Sequence, residues 1–191
     1  MPRKPDPTLK PAIIAKVAEH LQDTKLEDVS VRSLGRVLGT SAYPIVYHFG
    51  TREALIDAVV DHLAESVSDV TLDPGADDLG LTDYLIAVFG GLDDPERSLA
   101  ARLTFELGSV ESLDGRDRER TFHRAQVSAI AAWCAEHGYG AVDAERVARG
   151  AVLAARGVQW GTIVDRERAT PDAALRAIAH KLVAGAHFQS A

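Results

Sequence analysis

Residues Ser30 to Leu55, SVRSLGRVLGTSAYPIVYHFGTREAL, restrict this chain more than any other stretch. They read as two short helices joined by a tight glycine turn, followed at once by the start of a third. Val31, Leu34 and Leu38 recur at three- and four-residue spacing and give the first helix one buried face. Gly39 falls where that helix must stop, because glycine adopts a left-handed cap at almost no cost. Ser41 can cap the next helix through its side-chain oxygen. In that helix Ile45 and Phe49, with Val46, are expected to face inward, and Tyr43 and Tyr47 share the opposite face. A short helix after a glycine turn, carrying two exposed aromatics, is the arrangement that offers a rod to a DNA groove.

These residues resemble the helix-turn-helix of the tetracycline-repressor (TetR) family of bacterial transcription regulators. The resemblance is carried by Val31, Arg32, Leu34, Gly39, Ser41, Ile45, His48, Phe49, Thr51, Arg52, Glu53, Ala54 and Leu55. Upstream, Ile13, Val17 and Leu21 resemble the family's first helix, so the recognisable part covers about the first third of the chain. Three departures stand out. Val46 occupies the place of the family's usual Tyr, a phosphate contact that is either lost here or taken over by Tyr47. Tyr43-Pro44 replaces a small residue and Thr in the base-reading part, which implies a different operator sequence. Gly35 replaces a common Ala at a cost of roughly 1 kcal/mol of helix stability, as close packing against the first helix would require.

With 191 residues, 46% of them hydrophobic, the chain can bury a substantial core as one or two domains. Its periodicity is helical nearly throughout, which predicts an all-α fold. The single cysteine, Cys134, forms no intrachain disulfide, as suits a reducing cytoplasm, and its apolar neighbours place it in the core. No apolar run approaches the ~20 residues that span a bilayer. The polar, Pro-rich start MPRKPDPTLKP lacks a signal core, so a cytoplasmic location is expected. The net charge of −7 argues at first sight against a nucleic-acid partner, but it is unevenly spread. Residues 1–60 hold eight Lys/Arg against seven Asp/Glu, and residues 61–191 hold thirteen against twenty-one. DNA is tolerable only at the N-terminal part, through a few placed contacts and helix N-termini.

Along the chain, Arg3 and Lys4 lie in an arm that is either a phosphate or minor-groove contact or a solvated terminus. A first helix is predicted from Thr8 to about Asp23. Thr51 caps a long fourth helix with Leu55, Ile56, Val59, Val60, Leu63 and Val67 inward. Residues 71–81 read as a loop, and a fifth helix starts near Thr82 and ends by Gly90. Asp94-Pro95 opens a sixth that ends near Gly108, with a loop over 109–115. Further helices are predicted over 116–137, from Asp143, and after Thr170-Pro171, for nine in all. The boundary between a DNA-binding domain (1–55) and a helical effector-binding and dimerisation domain (56–191) is placed at the start of the fourth helix.

The expected DNA contacts are Arg32, Ser33, Ser41, Ala42, Tyr43, Tyr47, His48, Thr51 and Arg52. The resemblance puts Arg32 where guanine is often read, and bidentate Arg to the O6/N7 edge is the commonest specific contact. Ser33 can bond a phosphate, Ala42 can offer a methyl contact, and Tyr43 can donate to phosphate or stack on sugar. Arg52 stands where the family places a phosphate-contacting Lys or Arg, at a helix N-terminus suited to an anion. A solvated Arg32, a Tyr47 packed on a neighbouring helix and a structurally bonded His48 are the plain alternatives.

Asp57, Asp61, Glu65 and Asp69 form a carboxylate stripe on the fourth helix, and a solvated face explains it better than a metal, which needs ligands from several elements. The seven histidines show no zinc spacing, and no phosphate loop, nucleophile elbow or supported acid pair is present, so no catalysis, metal or cofactor is expected. Small residues recur on the last two long helices: Gly150, Ala154, Gly157 and Gly161, then Ala174, Ala177, Ala184 and Gly185. The resemblance implies that these helices pair with a second copy in a homodimer bound to double-stranded, pseudo-palindromic operator DNA. Intrachain packing of the same helices is the alternative.

The resemblance further implies a repressor released by a small-molecule effector. Tyr84, Phe89, Phe105, Glu106, His123, Trp133 and Trp160 are the candidate lining residues, which fit an apolar or aromatic ligand; each can equally be core. Two rivals remain: a helical enzyme or carrier without DNA binding, and an adaptor whose Tyr43 and Tyr47 meet a protein.

Overall fold

A computed structural model describes residues 8–189. Nine α-helices and two short 3-10 turns make up its regular structure, with no strand among the described residues. The helices are α1 (Leu9–Gln22), α2 (Val31–Val37), α3 (Tyr43–Phe49), α4 (Arg52–Ser68), α5 (Asp78–Phe89), α6 (Pro95–Asp114), α7 (Arg118–Glu136), α8 (Ala141–Val164) and α9 (Pro171–Gln189). The chain forms two compact units: residues up to 66 with 95–100, and 67–94 with the rest. Arg3 and Lys4 lie outside the described residues, as does the side chain of Val67.

In the first unit α1 buries Ile13, Val17, Ala18 and Leu21, one helical stripe. It packs on α2, and α2 packs on α3. Leu34, Ile45, Leu55 and Val59 are fully buried in this unit. Val46 is 51% exposed, against the inward placement expected for it. At about 100° per residue it stands equally far from Ile45 and Tyr47 but only about 60° from Tyr43, which puts it on the edge of the Tyr43 face.

The second unit is built on α8, which packs against α7, α9 and α5. Its inner face is a run of alanines (Ala144, Ala148, Ala151 and Ala155) with Val152, and this lets the neighbouring helices approach closely. The core they enclose holds Leu81, Tyr84, Leu85, Phe89, Ile130, Trp133, Cys134 and Leu175. Burial pushes the Cys134 thiol up to about 11. The Trp133 indole N–H donates to the Ala76 carbonyl at 2.7 Å, and the Tyr139 hydroxyl to the Leu182 carbonyl at 2.9 Å. A Cβ at Gly185 would lie 1.8 Å from that hydroxyl, so Gly185 serves packing within the chain.

Two boundaries differ from the sequence expectation. α5 begins four residues earlier than Thr82, because Asp77 caps it by accepting from the Gly80 amide at 2.8 Å. α6 runs six residues past Gly108 to Asp114. The glycine is tolerated in the helix, with Glu119 side-chain carbons 3.6 Å from where its Cβ would stand, and positive-φ Gly115 terminates the helix instead.

Candidate functional site

The helix-turn-helix is fixed by local bonds that the sequence encodes. Ser30 caps α2: its hydroxyl accepts from the Ser33 amide at 3.1 Å, and the Ser33 hydroxyl accepts from the Ser30 amide at 2.8 Å. The Ser33 hydroxyl also donates to the Ser30 carbonyl at 2.9 Å, so it is engaged within the chain. α2 ends at Gly39, with φ of +66°, and the Thr40 amide donates back to the Gly35 carbonyl at 2.9 Å. Gly35 faces this turn rather than α1. A Cβ there would meet the Ala42 nitrogen at 3.1 Å and the Thr40 oxygen at 3.2 Å.

Ser41 accepts from the Tyr43 amide at 3.3 Å at the start of α3, where Pro44 costs nothing because its position lacks a helical partner. Ala42 is half-buried beside Gly35, and Arg32 is exposed. Tyr43 and Tyr47 are 70% and 58% exposed and stack with ring centres 5.9 Å apart. His48 is half-buried and meets Tyr47 edge-on at 5.0 Å. The open face of α3 is therefore Tyr43, Val46 and Tyr47.

Gly50, at φ of +77°, ends α3, and the Thr51 hydroxyl then caps α4 by accepting from the Ala54 amide at 3.1 Å. Arg52 points back into the unit. Its Nε donates to the Val29 carbonyl at 2.6 Å, and its Nη2 donates to the Leu26 carbonyl. Its Nη1 stands 3.5 Å from the Glu53 carboxylate.

The second unit separates the expected effector-lining residues. Phe89 and Trp133 are fully buried and Tyr84 nearly so, all three within the packed core. The Trp133 ring stacks on His137 at 4.0 Å. Phe105 and Trp160 come together edge-to-face at 5.4 Å, with Trp160 54% exposed. Glu106 pairs with Arg102 at 3.2 Å. His123 is held below the usual histidine range by burial and by the charges of Arg156 and Arg149.

Arg156, half-buried, is the centre of a polar group whose partners Gln126 and Gln159 are buried. Its Nη1 donates to the Gln159 side-chain oxygen at 2.9 Å, and its Nη2 to that of Gln126 at 3.2 Å. The rings of Phe89 and Phe122 lie 5.3 and 5.6 Å from its Cζ. Glu119 is raised above the usual carboxylate range, chiefly by burial, while nearby Arg156 pulls the other way. The buried Glu111 carboxylate accepts from the Glu119 amide at 2.9 Å and so serves the first turn of α7. Along the acidic stripe of α4, Asp57 is half-buried and Asp61, Glu65 and Asp69 are exposed, and no group of metal-binding side chains occurs among the described residues.

No family model and no curated protein matches the chain. Solved structures do. A transcriptional regulator from Rhodococcus sp. Rha1 is 20% identical, over 92% of this chain and 96% of its own, with a TM-score of 0.74. A TetR transcription regulator from Haloarcula marismortui is 16% identical over 93% and 97%, with a TM-score of 0.70. BioQ bound to its double-stranded DNA operator is 20% identical over 92% and 98%, with a TM-score of 0.51. This chain has the fold of the TetR-family transcriptional regulators.

Within the TetR fold, the sequence placed the helix-turn-helix but did not single out Arg156, Gln159 and Glu119. The available signal was a charge in the wrong place. Arg156 follows Val152 and Ala155 on a helix whose inward positions up to that point are alanine and valine, with Gln159 and Thr162 after it. Amphipathic patterning alone assigns such an arginine to the solvent face. No helix among the described residues of this TetR-fold chain is long and apolar enough to cross a membrane.

Proposed function

We propose that this protein is a DNA-binding transcriptional regulator, a repressor that binds a pseudo-palindromic operator as a homodimer and is released by a small molecule. The observation that carries the reading is the open face of α3. Tyr43 and Tyr47 stack there in solvent, on a seven-residue helix held by the Gly39 turn, in a chain with the TetR fold. Exposed stacked tyrosines add nothing to the core, and they suit phosphate, sugar and base edges.

Arg32, on the exposed side of α2, reads a base. Tyr43, Tyr47 and His48 contact backbone, and Ala42 contributes a methyl group at the helix start. The first turn of α4, with Thr51, accepts a phosphate on its amides. Ser33, Ser41 and Arg52 hold these elements in place, and Arg52 keeps only Nη1 for phosphate. Residues 1–55 make up the DNA-binding domain, and residues 56–191 bind the effector and dimerise. The exposed face of α8, with Gly150, Leu153, Gly157, Trp160 and Gly161, supports pairing with a second copy. Phe105, Trp160, Phe89 and His123, around Arg156, are the effector-side residues. Effector binding shifts the population toward a conformation that no longer fits successive major grooves.

Selection from random duplex DNA, followed by titration of the winning sequence at several salt concentrations, tests the reading. The expected result is a pseudo-palindrome whose affinity falls steeply as salt rises. Failure to enrich any sequence refutes it.

A further inference from the structure

Arg156 donates only to neutral amide oxygens, those of Gln159 and Gln126, and no carboxylate among the described residues forms an ion pair with it. Two aromatic rings flank the guanidinium. A half-buried cation bonded only to neutral groups is costly, and an apolar side chain of similar volume would serve stability better. Glu119 is the carboxylate whose charge reaches Arg156, but the two form no ion pair, so the guanidinium keeps donor capacity for a closer anion.

Two further orphans accompany it. Gln126 is 3% exposed, and its Nε2, with two hydrogens to donate, has no acceptor. Glu119 Oε2 is buried without a hydrogen-bond partner. The guanidinium and the Gln126 amide thus form a pair that can donate to an incoming acceptor. Apolar surface surrounds the pair: Phe89, Phe122 and, one turn beyond Arg156 on α8, Trp160 against Phe105. His123, one turn before Gln126, is near enough to feel the Arg156 charge.

We propose that the effector is a small carboxylate with an aromatic or apolar body, its anionic group held by Arg156 and Gln126 and its body by the rings around them. This rests on the effector reading above and specifies its chemistry. Carboxylate on guanidinium is the charge-assisted, bidentate pairing that a planar cation is built for.

The test compares matched pairs on the wild-type protein, benzoate with benzamide and 2-naphthoate with 2-naphthamide, by thermal shift, tryptophan fluorescence and release of selected operator DNA. The acids are expected to bind and release DNA, and each amide to bind roughly tenfold or more weakly than its acid. In Arg156→Met, of similar volume and without the charge, acid and amide are expected to bind equally weakly, while Arg156→Lys keeps part of the preference. Amides that bind as well as the acids and release DNA overturn the anionic assignment and leave the effector reading standing. If neither acids nor amides bind at millimolar concentration, the anionic assignment falls. If they also leave operator binding unchanged, the effector reading loses its support as well. The acid–amide comparison needs no variant, so a poorly folded Arg156→Met leaves the test intact.

Discussion

The Nε of Arg52, the first residue of α4, lies 2.6 Å from the carbonyl oxygen of Val29, which precedes the Ser30 cap of α2. With the Nη2 bond to Leu26, this ties the start of α4 to the segment that leads into the helix-turn-helix. Charged hydrogen bonds to carbonyls are worth about 1.5–3 kcal/mol each when partly buried. Arg52→Ala is therefore expected to destabilise the protein by roughly 2 kcal/mol, read by denaturant unfolding. Arg52→Lys can keep one bond but not the fork, and should fall between. Unchanged stability with a large loss of DNA affinity would instead make Arg52 a direct phosphate contact.

Tyr43 and Tyr47 make the opposite prediction. Both rings stand in solvent, so Tyr47→Ala should change stability by no more than about 0.5 kcal/mol. Operator affinity should fall at least several-fold for each single change. The stack makes the two side chains neighbours, so the double variant is expected to be less than additive. Tyr47→Phe separates ring from hydroxyl: a phosphate bond is lost and stacking is kept. Unchanged affinity in Tyr43→Ala and Tyr47→Ala would remove α3 as the DNA-facing element.

Much of this was legible because it is local. The Gly39 stop, the Thr51 cap and the burial of Leu34 and Ile45 follow from spacing and turn chemistry within a few residues. What escaped depends on partners distant in sequence. Arg52 bonds carbonyls more than twenty residues away, and Arg156 meets Gln126 across thirty positions of chain. Glycine usually stops a helix, yet α6 passes through Gly108 to Asp114. Val46 is apolar and so expected inward, yet it is 51% exposed.

Gly35 and Gly39 are four residues apart and needed for different reasons. At Gly39 a Cβ would meet nothing within 4 Å, but φ of +66° disfavours any L side chain. Gly39→Ala should cost roughly 1–2 kcal/mol, and Gly39→Asn less. At Gly35 the backbone is helical, and alanine would gain about 1 kcal/mol of propensity. That gain is opposed by backbone atoms at 3.1 to 3.2 Å, which yield less readily than a side chain. Gly35→Ala is expected to be net destabilising by about 1–3 kcal/mol and to shift the turn that sets α3. A stabilised Gly35→Ala in thermal unfolding would show that the turn can move freely.

The exposed face of α8 predicts an assembly. Gly150, Gly157 and Gly161 have open space where a Cβ would stand, and Leu153, Trp160 and Val164 are exposed along the same helix. A helix that needed only its own chain would carry charge on that side, as α7 does with Arg120 and Arg124. Gly185 on α9 belongs to a different arrangement, since Tyr139 of the same chain occupies the space beside it. Leu153→Glu should therefore convert a dimer to a monomer in sedimentation velocity, because like charges would meet across a two-fold axis. Gly157→Leu should do so by bulk alone. Since both sites face away from the core of the second unit, helix content and operator-free folding are expected to persist. A wild-type protein that sediments as a monomer at tens of micromolar, or a Leu153→Glu variant that still dimerises, would move the interface elsewhere.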